Sequence, residues 1–211
     1  MIARSNSLLT TLLAVAAVLS LTACDQFADA VDENKNKLDV PVQTSYTFST
    51  SFDIGAIMGS AAGQKAPQKI EKDLSLPATS IDLVKQVPAL ANAKGRVKSF
   101  EITKIDAHPK VNSVTGALPS FDLHVGAHSN TDLAQTAKIA TIPSIPSKST
   151  AVVAAVLHKD GMAAAQPHFT ALAFSQMIVA KMVVNKGETV PGGKADLDIT
   201  LAIKAVLNPI K

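Results

Sequence analysis

The chain has 211 residues, 47% of them hydrophobic, and a formal net charge of +3 from 20 basic and 17 acidic side chains dispersed along it. That apolar share is enough for a core, and the near balance of charge gives no case for nucleic acid, which wants a basic stripe. Aromatics are 4%, with no Trp and one Tyr, so sugar-stacking platforms and aromatic cages are not expected.

Arg4 and the terminal amine make a short positive start, and Leu8 to Leu21 is apolar except for Thr10, Thr11 and Ser20. This is the plan of a secretory signal: positive start, short apolar core, small residues before the cut. The run falls short of the roughly 20 apolar residues of a comfortable bilayer span. A transmembrane helix is therefore the weaker reading, as is a plain secretory signal with Cys24 incidental. The run closes on Leu21-Thr22-Ala23-Cys24, which holds the only cysteine.

That quartet resembles the lipobox of bacterial lipoproteins: Leu, two small residues, then Cys. The resemblance covers the first two dozen residues. It implies that residues 1–23 are a signal peptide and that the Cys24 thiol receives diacylglycerol. It further implies cleavage before Cys24, with the new amine open to acylation. The partner it implies is the membrane, held through lipid on Cys24 in the bacterial cell envelope. One acyl chain binds marginally, whereas two or more, at about 0.8 kcal/mol per buried CH₂, hold stably. Asp25 resembles the inner-membrane retention signal of enterobacterial lipoproteins and hints at the inner membrane, with inner versus outer left open. A lone Cys forms no internal disulfide, so the mature fold must stand on packing.

Residues 24–41 read as the lipidated Cys and a flexible tether. Asp32-Glu33-Asn34-Lys35-Asn36-Lys37 is polar and poor in core formers, and a coil of this length spans roughly 20–25 Å. Residues 42–211 read as a single β-sandwich domain. Val42, Thr44, Tyr46, Phe48, Thr50, Phe52 and Ile54 alternate with Gln43, Ser45, Thr47, Ser49, Ser51 and Asp53, which predicts a strand with one buried and one wet face. Gly55, Gly59 and Gly63 break it into a loop.

A short strand is expected over 68–76, closed by Pro77. Residues 79–93 are ambiguous: Ser80 suits the N-cap of a helix through Leu83, Val84 and Val87, which Pro88 would end or kink. Val97 to Ala107 reads as a strand with Phe100 and Ile102 on one side, Thr103, Ile105 and Ala107 on the other, and Pro109 as its stop. Ser120 to Ala127 reads as another, with Phe121, Leu123 and Val125 inward and Asp122 and His124 outward. Ile139 to Ile142 suits an edge strand bounded by prolines, and Ala151 to Leu157 a buried strand. Lys159-Asp160-Gly161 reads as a turn, with a short helix around Phe169 to Phe174. Met177 to Val184 and Ala195 to Leu207 read as a hairpin joined through Pro191-Gly192-Gly193. The fold class expected is mainly β: an antiparallel β-sandwich with one or two short helices. An open lipid-carrying barrel is the alternative architecture.

No constellation names a reaction. His124 and His128 are four apart, a spacing that suits a metal on a helix, yet they fall on a strand and a loop and no third ligand completes them. His108, His158 and His168 are scattered. Asp122 and His124 share a strand face as an acid–base pair would, but no nucleophile stands beside them. Asp196 and Asp198 share another, as glycosidase carboxylates can, with Lys194 and Lys204 near enough to make them a solvated face. No Ser lies in a G-x-S-x-G elbow, and Pro191-Gly192-Gly193-Lys194 lacks phosphate-loop spacing. No cofactor, metal site or catalytic residue is expected. The reading is a lipid-anchored envelope protein whose β domain binds or scaffolds, with an envelope protein as the partner class it allows. The alternative is a periplasmic carrier of a lipid or other hydrophobic ligand.

Overall fold

A computed structural model describes residues 39–208. The signal, Cys24 and the tether as far as residue 38 lie outside the described residues. The alternating stretch forms β1 (Val40–Asp53), in which the even positions turn inward and the odd positions are exposed, as a period of two requires. The last strand, β10 (Lys194–Leu207), buries its odd set from Ala195 to Ala205. The two pair antiparallel without a register shift, from Val40 against Leu207 to Asp53 against Lys194. β4 (Val97–Asn112) takes the other side of β10, and the two-residue β7 (Val153–Ala154) completes a four-stranded sheet, β1-β10-β4-β7.

The second sheet is built on β9 (Ala173–Val184). On one side of it lie β5 (Phe121–Ala127), β6 (Thr136–Ile142) and β8 (Val156–Leu157), and on the other β2 (Ile70–Asp73) and β3 (Leu76–Asp82). All pairings are antiparallel. The inward rows of the two sheets share one core; Phe52 of the first meets Phe121 of the second at 5.5 Å between ring centroids. The fold is a mainly β, antiparallel sandwich, as expected from the sequence.

The α-helices among the described residues are α1 (Ile54–Met58), α2 (Leu83–Gln86) and α3 (Lys159–Thr170). Asp53 caps α1 by accepting from the Ala56 N–H at 2.8 Å. α3 packs where β4 of one sheet faces β6 of the other: the Gln166 side chain donates to the Phe100 carbonyl at 2.9 Å, and the His158 N–H at its head donates to the Ile139 carbonyl at 2.9 Å.

Several expectations are corrected. β9 and β10 do not form a hairpin; they lie in different sheets. The link between them is laced to an earlier loop, with Ala66 N–H donating to the Glu188 carbonyl and Val190 N–H to the Gln64 carbonyl, both at 2.9 Å. Its backbone groups are thereby satisfied without a tight turn. Pro109 does not stop β4, which continues to Asn112 with Pro109 buried. Nor does β4 change sides: Phe100, Ile102, Ile105 and Ala107 are all buried. A register shift against β10 between Ala202 and Ile203 leaves Thr103 unopposed, and a second between Asp196 and Leu197 leaves Lys110 so. Each extra residue reverses the parity of the strand beyond it.

Residues 68–76 divide between β2 and β3, with Pro77 inside β3. The first helical turn after β3 has Asp82 as its N-cap residue, without a side-chain cap bond, and does not start from Ser80. Ala151 to Leu157 is not one buried strand but the short β7 and β8, with Val152 and Val156 exposed. Lys159-Asp160-Gly161 is the opening of α3, not a turn. The Ala-rich run after it favours helix strongly enough to carry Pro167 near the C-terminal end.

Candidate functional site

The most elaborate polar arrangement among the described residues lies on the outer face of the second sheet, where β5, β6 and the head of α3 meet. Asp122 and His124 do share the outward face of β5, as expected, but both are half-buried. Thr141 of β6 lies opposite Asp122 and donates its hydroxyl to Asp122 Oδ1 at 2.7 Å. Lys138 Nζ stands 2.9 Å from Asp122 Oδ2. His158 Nε2 is 2.8 Å from the same Thr141 oxygen. The one hydroxyl hydrogen is already given to Asp122, so His158 must be the donor. The result is a chain from His158 through Thr141 to Asp122 and Lys138.

A second chain runs beside it. Thr136 donates to the Leu133 carbonyl at 2.7 Å, so His124 Nδ1, 3.0 Å from the Thr136 oxygen, carries the proton and donates. Burial pushes the His124 pKa down, with Asp122 opposing and Lys138 assisting. Burial pushes Asp122 up, but the Thr141 hydroxyl and Lys138 outweigh it and hold the carboxyl below its ordinary value. An ionised carboxylate with both oxygens occupied is a poor general base. The Thr141 hydroxyl hydrogen points at that carboxylate, so it is not poised as a nucleophile. In a hydrolase triad the imidazole stands between hydroxyl and carboxylate; here the hydroxyl stands between imidazole and carboxylate. The arrangement cross-links β5, β6 and α3.

Depressed His124 titration gives a testable sign. Between its folded and unfolded pKa the unfolded chain binds the extra proton, so stability falls as pH drops through about 6.5 and levels off below the folded value. We expect the melting temperature to decline between about pH 7 and pH 5, and His124→Asn, which keeps a donor for Thr136, to flatten that decline. An unchanged pH profile in the variant would remove His124 as its source. Asp122 acts in a separate window: its contribution is present above the unfolded carboxylate value and is lost as pH falls through the lower folded one.

Asp196 and Asp198 lie on the outer face of the first sheet. Ser49 donates to Asp198 at 2.7 Å and Lys110 stands 3.2 Å away. Lys194 is 3.1 Å from Asp196. Hydrogen bonds from Ser49 and Ser51, then the lysines, lower both carboxyls. The cation beside Asp198 is thus Lys110, across the strand, and no cleft separates the two carboxylates. Among the described residues no three His, Cys, Asp or Glu side chains gather as a metal site would need. Pro191-Gly192-Gly193-Lys194 is structural: Ser113 N–H donates to the Lys194 carbonyl at 2.8 Å and Thr115 N–H to the Gly192 carbonyl at 3.0 Å.

Concavities lie at several places among the described residues. Two adjoin Arg96: an open hollow of about 240 Å³ lined by Val40, Pro88, Ala93 and Leu207, and another of about 190 Å³ lined by Gly95, Val97 and Lys98. Two more lie elsewhere. One, of about 390 Å³, is a wide-mouthed surface depression lined by Lys138, His158, Lys159, Asp160 and Gly161. The other lies where β1 faces β3 and holds about 50 Å³ between Phe48, Thr50, Leu76, Thr79 and Gln176. Gln176 is 6% exposed, and its Oε1 has no hydrogen-bond partner among the described residues. That volume suits one water, the usual partner of a buried amide.

Neither a family model nor a curated protein matches the chain. Among solved structures, a chain of Desmodium yellow mottle tymovirus is similar at 14% identity, over 82% of this chain and 94% of that one, with a TM-score of 0.24. A likeness of that size carries no argument about either fold or function.

Proposed function

We propose that this is a lipid-anchored protein of the bacterial cell envelope whose sandwich binds or scaffolds a partner without catalysis. The anchor rests on the lipobox resemblance at Leu21 to Cys24. Binding is favoured over lipid carriage by the filled space between the sheets. Phe52, Phe121, Ile105, Leu123, Ile139 and Ile199 are each at most 1% exposed and interdigitate across it. Carriage needs an apolar chamber of roughly 300 Å³ or more. The hollow at the β1–β3 side is about 50 Å³, and the apolar one beside Pro88 and Leu207, about 240 Å³, is half open to solvent at one end of the first sheet and is not a chamber between the sheets. The polar chains on β5 and β6 are consistent with support for a surface, since their donors and acceptors already satisfy one another.

Two measurements test the reading. Wild type and Cys24→Ala are expressed in a bacterial host and labelled with radioactive fatty acid. The label is expected on wild type alone, and Cys24→Ala should leave the detergent phase on phase separation. Equal labelling would reject Cys24 as the attachment point. Native mass spectrometry of the purified protein then separates binding from carriage: stoichiometric lipid beyond the covalent anchor would favour the carrier.

A further inference from the structure

A sheet edge is a row of unpaired N–H and C=O groups, and proteins usually blunt it with short strands, charge, proline or bulges. Three of the four edges here are blunted. β7 and β8 have two residues each. On the remaining side of the second sheet, β2 carries Glu71, Lys72 and Asp73, and β3 carries Pro77 with a register shift. β1 has Pro41 at its start and Asp53 at its end, and none of these devices between Val42 and Phe52. It runs 14 residues in unbroken register with β10, and nothing among the described residues pairs with its other edge. The exposed row of that central stretch, Gln43, Ser45, Thr47, Ser49 and Ser51, is uncharged.

We propose that this edge is an interface between two copies of the chain, β1 pairing antiparallel with β1 about a two-fold axis at Thr47. The two first sheets then become one continuous eight-stranded sheet. Directly opposed residues in an antiparallel pair share a face, so the axis must pass through a residue position. At Thr47, it sets Thr47 opposite the partner's Thr47, Ser45 opposite the partner's Ser49 and Gln43 opposite the partner's Ser51. Each hydroxyl or amide meets another, the cross-strand pairing that adds stability in sheets. On the inner side Tyr46 meets the partner's Phe48, and Val42 the partner's Phe52. Moving the axis to Tyr46 would set Asp53 against the partner's Asp39, and like charges directly opposed are unfavourable. The strand is its own complement at Thr47, which selects a second copy over a foreign strand.

The test uses the full chain, taken from whichever fraction of the host holds it and kept in mild detergent throughout, with mass measured by sedimentation. Wild type should be a dimer. Ser45→Lys combined with Ser49→Lys places two ammonium pairs across the axis and should weaken dimerisation by about tenfold or more. Ser45→Lys combined with Ser49→Glu places opposite charges there and should restore it, with circular dichroism confirming that each variant is folded. Thr47→Cys should cross-link with a short bis-maleimide, and Thr103→Cys on β4 should not, with wild type alongside to account for Cys24. A monomeric wild type would overturn the proposal. So would a double-lysine variant that dimerises like wild type, or a Thr47→Cys chain cross-linking no better than Thr103→Cys. None of these readings depends on lipidation of Cys24, so failure of the anchor and failure of the dimer are distinguishable.

Discussion

Gly161→Ala should destabilise the domain by about 4 kcal/mol or more, in the range reserved for severe steric errors. The expectation runs against intrinsic propensity, since alanine is better than glycine inside a helix by about 1 kcal/mol. A Cβ at position 161 would lie 1.7 Å from the Lys138 carbonyl oxygen and 2.6 Å from its carbon. Both are backbone atoms, so no side chain can swing aside. The contact exists because β6 bulges at Ile139, where the register against β5 shifts, and the head of α3 sits down on that bulge. The His158 N–H bond to the Ile139 carbonyl fixes the approach. Urea unfolding of wild type and variant measures the loss. Gly59→Ala is the control: its φ of 55° is strained for alanine, but nothing lies within 4 Å of the added atom. With ψ at −134° the backbone lies outside the left-handed helical region, and alanine there should cost about 1–3 kcal/mol. Equal effects at the two positions would remove the clash as the cause.

Phe169→Ala should cost about 3–5 kcal/mol. The side chain is fully buried and holds the end of α3 between the sheets. Its ring stacks on Phe100 of β4 at 5.4 Å between centroids and meets Phe174 of β9 edge-on at 5.5 Å, so one side chain touches both layers. Truncation loses the transfer free energy of the ring, leaves a cavity and removes two aromatic pairs worth about 0.5–1.5 kcal/mol each. The midpoint in urea should fall with the slope unchanged. A loss under about 1 kcal/mol would mean that the layers collapse onto the vacancy, or that α3 is not needed to hold them.

β1 and β10 are legible because each is a half-buried strand whose alternation is visible in residues 42–54 and 195–207. Alternation states which side chains share a face and says nothing of which strand lies alongside. That is why β9 and β10, adjacent in the chain, read wrongly as a pair. β9 is flanked on both sides and buries Ser175 and Met177 on its outward face as well, so its sequence reads as a run without a wet side. In β4 the pattern misleads through its bulges: an unopposed Thr103 carries no local signal, and the parity change is set by the partner strand. Of the polar chains, Asp122 and His124 are visible as neighbours on one strand. Thr141, Lys138 and His158 are not, because they reach the site through strand pairing and the seating of α3, which no short-range spacing encodes.

The pairing of the first strand with the last also governs the order of assembly. Thr47 and Thr200, whose hydroxyls lie 2.8 Å apart, are separated by 153 positions along the chain. A polypeptide emerging N-terminus first from a ribosome or a translocation pore therefore displays residues 40–53 without their strand partner until residues 194–207 have followed. Contacts of such long range slow folding, towards milliseconds to seconds for sandwiches. A chain cut before Lys194 would leave residues 40–53 without the one strand they pair with among the described residues.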